Sequence, residues 1–302
     1  MNKKVSLFLI FIAFLIVSCT KDEPDEIVPI PKNINNSYIF MGHTYASNIT
    51  IDERLESFDF TPYEQIWLGG DVCAETTKDF NTLIYLDGIF DLGNANTHWT
   101  LGNHDIRNGN IDWIVYVTKK KTFHVQYFNN ITLLVLNTNL SYGGVIDCES
   151  INAQFKLINE VCDTIQKSSH LIVLTHNVVW GDIYDNMMVE EYANTVNSSI
   201  LFRCSPDQNF KESVFPLFEN VMRKEIQVIF IAGDFGQNAT SYEFITEIGM
   251  VFLGSGIASD VPYNEQFPTW GLPDKVLVLD HDTLNRDISW QFLDLDLFKI
   301  KI

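Results

Sequence analysis

The chain has 302 residues, 46% of them hydrophobic and 20% charged, a composition that builds a large folded core and excludes a disordered or fibrous protein. Its 39 acidic residues against 20 basic ones give a formal charge of −19, which argues against nonspecific nucleic-acid binding, because a phosphate backbone needs a basic footprint. That acidity is compatible with a site that collects divalent cations.

In chain order, Asn2, Lys3 and Lys4 precede an apolar run from Val5 to Val17 that is short for a membrane span, and residues 1–18 read as a signal peptide. Ser18 then stands directly before Cys19, and "IVSC" resembles the lipobox of bacterial lipoproteins, in which the cysteine is lipidated and becomes the new N-terminus. Residues 19–36, "CTKDEPDEIVPIPKNINN", are too acidic and proline-rich to build a core and read as an extended tether. The acidic run after Cys19 resembles the export signal of surface lipoproteins. The expected location is the cell envelope, lipid-anchored in the outer membrane and facing the periplasm or the exterior. One folded domain is expected over 37–302.

Within that domain, "YIFMGH", "QIWLGGD" and "HWTLGNHD" are strand-like runs that end in polar residues. "FHVQYFNNITLLVLNTN" predicts a hairpin turning at Asn129 and Asn130, because asparagine accepts the positive φ of a type I′ turn. Ile151, Phe155, Ile158, Cys162 and Ile165 fall at helical spacing, and the helix leads into the strand "HLIVLTHN". A second helix around Phe215 to Arg223 precedes the strand "QVIFIAGDFG". "MVFLGSG" and a final strand pair, "KVLVLD" and "ISWQFLDL", follow, with "GSG" read as a tight turn that could border a site.

Five of these strands end in His43, Asp71, Asn103, His176 and Asp234. One such residue is an ordinary turn or cap residue. Five of them, all able to ligate a hard or borderline cation, in a layered α/β chain whose ligands gather at carboxyl strand ends, point to a metal site.

"GGD" at Gly69 to Asp71, "GNHD" at Gly102 to Asp105 and "TH" at Thr175 and His176 resemble, in this order, the middle blocks of the calcineurin-like metallophosphoesterase family. The resemblance spans roughly Tyr38 to Leu293. It implies an α/β fold, a four-layer β-sandwich flanked by helices. The first and last blocks depart from the family: "HTY" puts His43 and Tyr45 where aspartate and histidine are usual, and "GDFG" puts Asp234 and Gly236 where two histidines are usual.

What the resemblance implies is one complete ligand set, Asp71, Asn103, His176 and Asp234, and a second that would need His43, Tyr45 and the side chain Gly236 lacks. The expected cofactor is therefore one divalent metal ion per chain, Mn²⁺, Zn²⁺, Fe²⁺ or Mg²⁺. His104 is expected to donate a proton or hydrogen bond to the phosphoryl group, with Asp105 fixing its tautomer. The expected function is metal-dependent hydrolysis of phosphomonoesters or phosphodiesters, the substrate being a phosphorylated small molecule or surface glycan chosen by loops such as Trp180 to Asn209. The alternative is a catalytically silent surface lipoprotein of the same scaffold, acting in binding or assembly. His98, His124, His170 and His281 read as surface or structural histidines. Cys73, Cys148, Cys162 and Cys204 allow three disulfide pairings or buried thiols. Cys73 could also face the site, two residues beyond Asp71.

Overall fold

The structure, a computed structural model, describes residues 35–140, 146–195, 204, 208–257 and 272–297. All of them fall in the unit Asn33–Ile302. The expected signal peptide, Cys19 and nearly all of the tether lie outside the described residues, as does part of the loop Trp180 to Asn209. Among the described residues no helix is long and apolar enough to cross a membrane.

Two mixed sheets are flanked by helices, the first of which, α1 (Glu53–Glu56), is a single turn. The first sheet contains β1 (Asn35–Met41), β2 (Gln65–Leu68), β3 (Thr97–Trp99), β10 (Lys275–Asp282) and β11 (Asp287–Asp294), in the order β11-β10-β1-β2-β3. The second contains β4 (His124–Phe128), β5 (Ile131–Val135), β6 (His170–Thr175), β7 (Gln227–Ala232), β8 (Ser241–Ile245) and β9 (Val251–Ser255), in the order β4-β5-β6-β7-β9-β8. β1, β2 and β3 run parallel, as do β5, β6, β7 and β9.

Alternation along each strand sorts side chains between two cores. In β1, Tyr38 and Phe40 enter the core between the sheets, while Ile39 and Met41 enter the one beneath α2 (Phe80–Phe90) and α4 (Asp112–Thr118). β6 sends Ile172 and Leu174 between the sheets, and Leu171 and Val173 toward α5 (Cys148–Thr164) and α6 (Phe215–Met222). These strands read as unbroken apolar runs because both faces are covered. Each fully buried Leu, Ile or Phe contributes about 1.5–3 kcal/mol.

The hairpin turns at the two expected residues, Asn129 and Asn130, with φ of 44° and 62°. The helix expected from Ile151 begins at Cys148, where Asp147 accepts from the Ser150 amide and caps it. Sequence periodicity did not reveal α2, whose apolar residues are spread around its circumference, nor the edge strand β8. "GSG" is not a tight turn. Gly254 and Ser255 end β9, and a Cβ on Gly254 would lie 2.2 Å from the Phe235 ring.

Cys148 and Cys204 form a disulfide across 56 residues, and Cys73 and Cys162 are buried free thiols. Closing a loop of that length in the unfolded chain stabilises the fold by about 4 kcal/mol in the chain-entropy treatment.

Candidate metal centre

The carboxyl ends of β1 and β2 meet the carboxyl end of β7 where Gly42, Gly69 and Gly233 pack backbone to backbone. A Cβ on Gly233 would lie 2.0 Å from the Gly69 carbonyl oxygen, and one on Gly42 would lie 2.3 Å from that of Gly233. Only hydrogen fits in these gaps, so the sheets close together here. The Gly69 amide donates to the Met41 carbonyl at 2.7 Å, and those of Gly233 and Asp234 donate to the His176 carbonyl at 3.1 and 2.9 Å.

This convergence gathers residues delivered by separate strands. Asp71 follows β2, His176 follows β6 and Asp234 follows β7; all three are buried, and one ligand atom from each lies within 4.8 Å of the others. His176 Nε2 stands 3.4 Å from Asp71 Oδ2 and 4.0 Å from Asp234 Oδ1. Donor atoms that share one ion at about 2.1 Å stand roughly 3.0–3.5 Å apart.

His176 Nδ1 donates to the Gly69 carbonyl at 2.8 Å, which leaves Nε2 turned to the carboxylates. That buried Nε2 has no hydrogen-bond partner among the described residues. Its tautomer is therefore set for ligation, the Gly69 carbonyl holding the far ring N–H as a backbone carbonyl commonly does behind a metal-binding imidazole. Without an ion, burial would lower the His176 pKa, but Asp71 and Asp234 overcome it and raise it to about 10. Burial would likewise raise Asp71, and the His176 charge outweighs it and holds the carboxyl down. Asp234, buried and beside Asp71, is pushed up.

The backbone is strained at two of the expected residues: Asp71 and His43 are left-handed, with φ of 52° and 54°. A non-glycine residue held there costs of order 1 kcal/mol or more and marks a position whose side-chain direction is over-determined. His43 is half-buried beside the trio. Its Nδ1 donates to the Ile257 carbonyl at 3.2 Å, and burial lowers its pKa against the pull of Asp71 and Asp234. Asn103, the first residue of the four-residue helix α3 (Asn103–Ile106), is half-buried. The amide that follows it, His104 N, donates to Asp71 Oδ1 at 2.8 Å, so Asn103 is tied beside the trio.

The expected pairing of Asp105 with His104 is not present. Asp105 is fully buried and accepts from the amides of Asp71, Val72 and Gly102, from the Thr76 hydroxyl and from the Trp99 indole, at 2.8 to 3.2 Å. It is the knot that holds the loop after β2 to the loop after β3. His104 has other partners: Nδ1 donates to the Ala74 carbonyl at 3.1 Å, and Nε2 accepts from Arg107 Nη2 at 3.0 Å. Both ring nitrogens of His104 are thus engaged by protein partners.

Two residues of the site were not read from sequence. Asn177 Nδ2 donates to Asp234 Oδ2 at 3.1 Å, and its own Oδ1 accepts from the Thr138 hydroxyl at 2.9 Å, which fixes the Asp234 carboxylate. Its one signal was its place after His176. Arg107 is the other, hidden in a loop with no periodicity.

Cys73 packs in the core beneath α2, and burial raises its thiol pKa. The remaining histidines are buried or half-buried and matched in pairs: His98 Nδ1 and His124 Nε2 are 2.9 Å apart, and the His170 and His281 rings lie 5.9 Å apart. None of the four joins the trio.

The site is thus a buried Asp/His/Asp cluster in a mixed α/β fold, able to hold one divalent cation. No family model matches the chain, and no curated protein matches it.

Proposed function

We propose that the protein is a single-metal phosphoester hydrolase on the four-layer sandwich of the calcineurin-like metallophosphoesterases, carried by a lipid on Cys19 in the bacterial cell envelope. The observation that carries this reading is the trio of Asp71, His176 and Asp234 with its unpartnered Nε2. Two carboxylates, one imidazole and the adjacent Asn103 amide form a hard, anionic donor set that suits Mn²⁺ or Mg²⁺ and accepts Zn²⁺ or Fe²⁺. A bound divalent ion supplies Lewis acidity toward a phosphoryl oxygen and lowers the pKa of water. The chain's own part is to aim the ligands: Gly69 sets the His176 tautomer, Asn177 holds Asp234, and the His104 amide holds Asp71.

In this reading residues 1–18 are removed, 19–36 tether the domain 37–302, and the substrate is a phosphorylated small molecule or surface glycan. One observation favours a second reading, a silent scaffold used in binding or assembly: Gly236 offers no side chain to a second ion, and Tyr45 stands where a histidine is usual.

Elemental analysis after exposure to Mn²⁺, with hydrolysis of an aryl phosphomonoester and diester, tests the proposal. It expects about one equivalent of metal per chain and turnover that chelation abolishes. Metal without turnover of either ester supports the silent scaffold, and a chain that retains no metal sinks the hydrolase. The anchor is checked separately: Cys19→Ser should abolish incorporation of labelled fatty acid.

A further inference from the structure

Beside the trio, three rings and a guanidinium form a continuous row. His43 and Tyr45 have ring centroids 4.5 Å apart, and Tyr45 stacks on His104 at 5.1 Å with planes 24° apart. The far nitrogen of His104 accepts from Arg107 Nη2 at 3.0 Å. The row is fastened to the trio at its His104 member, whose amide donates to Asp71 Oδ1. Arg107 follows directly on α3, the short helix that begins at Asn103.

The charge balance here is unusual for the chain. Acids outnumber bases 39 to 20, and Arg54 alone is engaged by Asp52, Asp274 and Asp296. Arg107 is half-buried, yet it forms an ion pair with no described carboxylate, and the one hydrogen-bond partner of its guanidinium among the described residues is His104 Nε2. A guanidinium carries its N–H donors in a rigid fork suited to carboxylate and phosphate oxygens, and one accepted bond uses only part of it. A half-buried cation with no counter-ion among the described residues is a place for an anion from outside.

We propose that Arg107 is the anion clamp of this centre, held by His104 and Tyr45 to take the oxygens of a phosphoryl group with charge that a second metal ion would otherwise supply. This rests on the hydrolase reading and gives it a substrate class: a compact phosphate ester whose phosphoryl oxygens reach both the trio and the guanidinium. His104 is then a positioning residue that acts through Arg107. The departures at Tyr45 and Gly236 fit together in this light, since a ring that stacks on His104 replaces a metal ligand, and a fixed guanidinium replaces the ion.

The test is calorimetric titration of inorganic phosphate into the Mn²⁺-loaded protein, with Mn²⁺ affinity measured separately. Arg107→Ala should weaken phosphate binding at least ~10-fold, the scale of a lost charge-assisted hydrogen bond, and leave Mn²⁺ affinity within about twofold. Arg107→Lys keeps the charge without the fork and should recover part of the loss. His104→Gln retains an oxygen that Arg107 can donate to, and should bind phosphate more tightly than His104→Ala, an order that a purely structural role for His104 would not produce. Phosphate affinity unchanged in Arg107→Ala, with metal bound normally, overturns the clamp and leaves the hydrolase standing. Absence of Mn²⁺ binding in the wild-type protein removes both, and that result is read before phosphate is added.

Discussion

The two ends of strand β6 carry a histidine each, and the two behave in opposite ways. His170 opens the strand among Ser169, Gln227 and His281, with Nδ1 2.9 Å from the Ser169 hydroxyl and Nε2 3.1 Å from Gln227 Oε1. Burial there, with His281 beside it, lowers its pKa to about 4. His176 follows the last residue of the same strand, is as deeply buried, and is raised to about 10 by two carboxylates. Burial alone makes a neutral structural histidine. Burial with converging carboxylates makes a position that must hold a positive charge, whether a proton or a metal ion.

The largest loss is expected at Asp105. An asparagine there would turn an N–H₂ group against donors, since all five partners of the carboxylate donate. Asp105→Asn should therefore cost about 3 kcal/mol or more, seen as a lower denaturant midpoint with the slope unchanged. A loss within about 0.5 kcal/mol would mean that the two loops are held by something else.

Next in size is Asp71→Asn, which removes one of the charges that distinguish the two ends. Metal affinity should fall by at least ~100-fold, and in the metal-free variant the His176 titration, followed by NMR, should move down from about 10 toward the behaviour of His170. A His176 pKa that stays put would show that Asp71 is not the partner that matters.

The structural histidines should be visible in acid. His170, with His124 similarly lowered to about 4, binds fewer protons folded than unfolded. Their stabilising contribution is present above the unfolded value of about 6.5 and is lost as pH falls from there toward 4. The metal-free His176 has the opposite sign, since its raised pKa adds stability at low pH that disappears as pH climbs toward 10. His170→Gln should flatten the acid limb of stability against pH by up to about 1.4 kcal/mol per pH unit. An unaltered slope would place the acid sensitivity in other groups.

The smallest effect concerns the partner that aims a carboxylate. Asn177→Ala frees Asp234 Oδ2 from its hydrogen bond and should reduce metal affinity by roughly 10-fold without abolishing it. Equal affinity in variant and wild type would make Asn177 a bystander.

The strands of this protein were legible because their apolar runs end abruptly in polar residues, and Asp71, His176 and Asp234 could be picked out on that pattern alone. The hairpin at Asn129 and Asn130 was legible because only a few residues tolerate the backbone it needs. Where the sequence misled, the cause was contact between distant segments. Asp105 adjoins His104 in the chain, yet a single helical turn directs it into the loop after β2 while His104 turns to Arg107. His98, His124, His170 and His281, read as surface or structural residues, did prove structural, buried or half-buried and matched in pairs.

Alternation and turn chemistry are local, so which residues lie at strand ends, and that several can bind a cation, can be read along the chain. Which of them meet is set by the fold. That choice depends on Gly42, Gly69 and Gly233 letting two sheets close to backbone contact, and on the positive φ that turns Asp71 toward His176. Close approach of segments from different strands leaves no periodic trace in the chain, so the trio, the Asp105 knot and an Arg107 with no described carboxylate partner become visible only once the chain is folded.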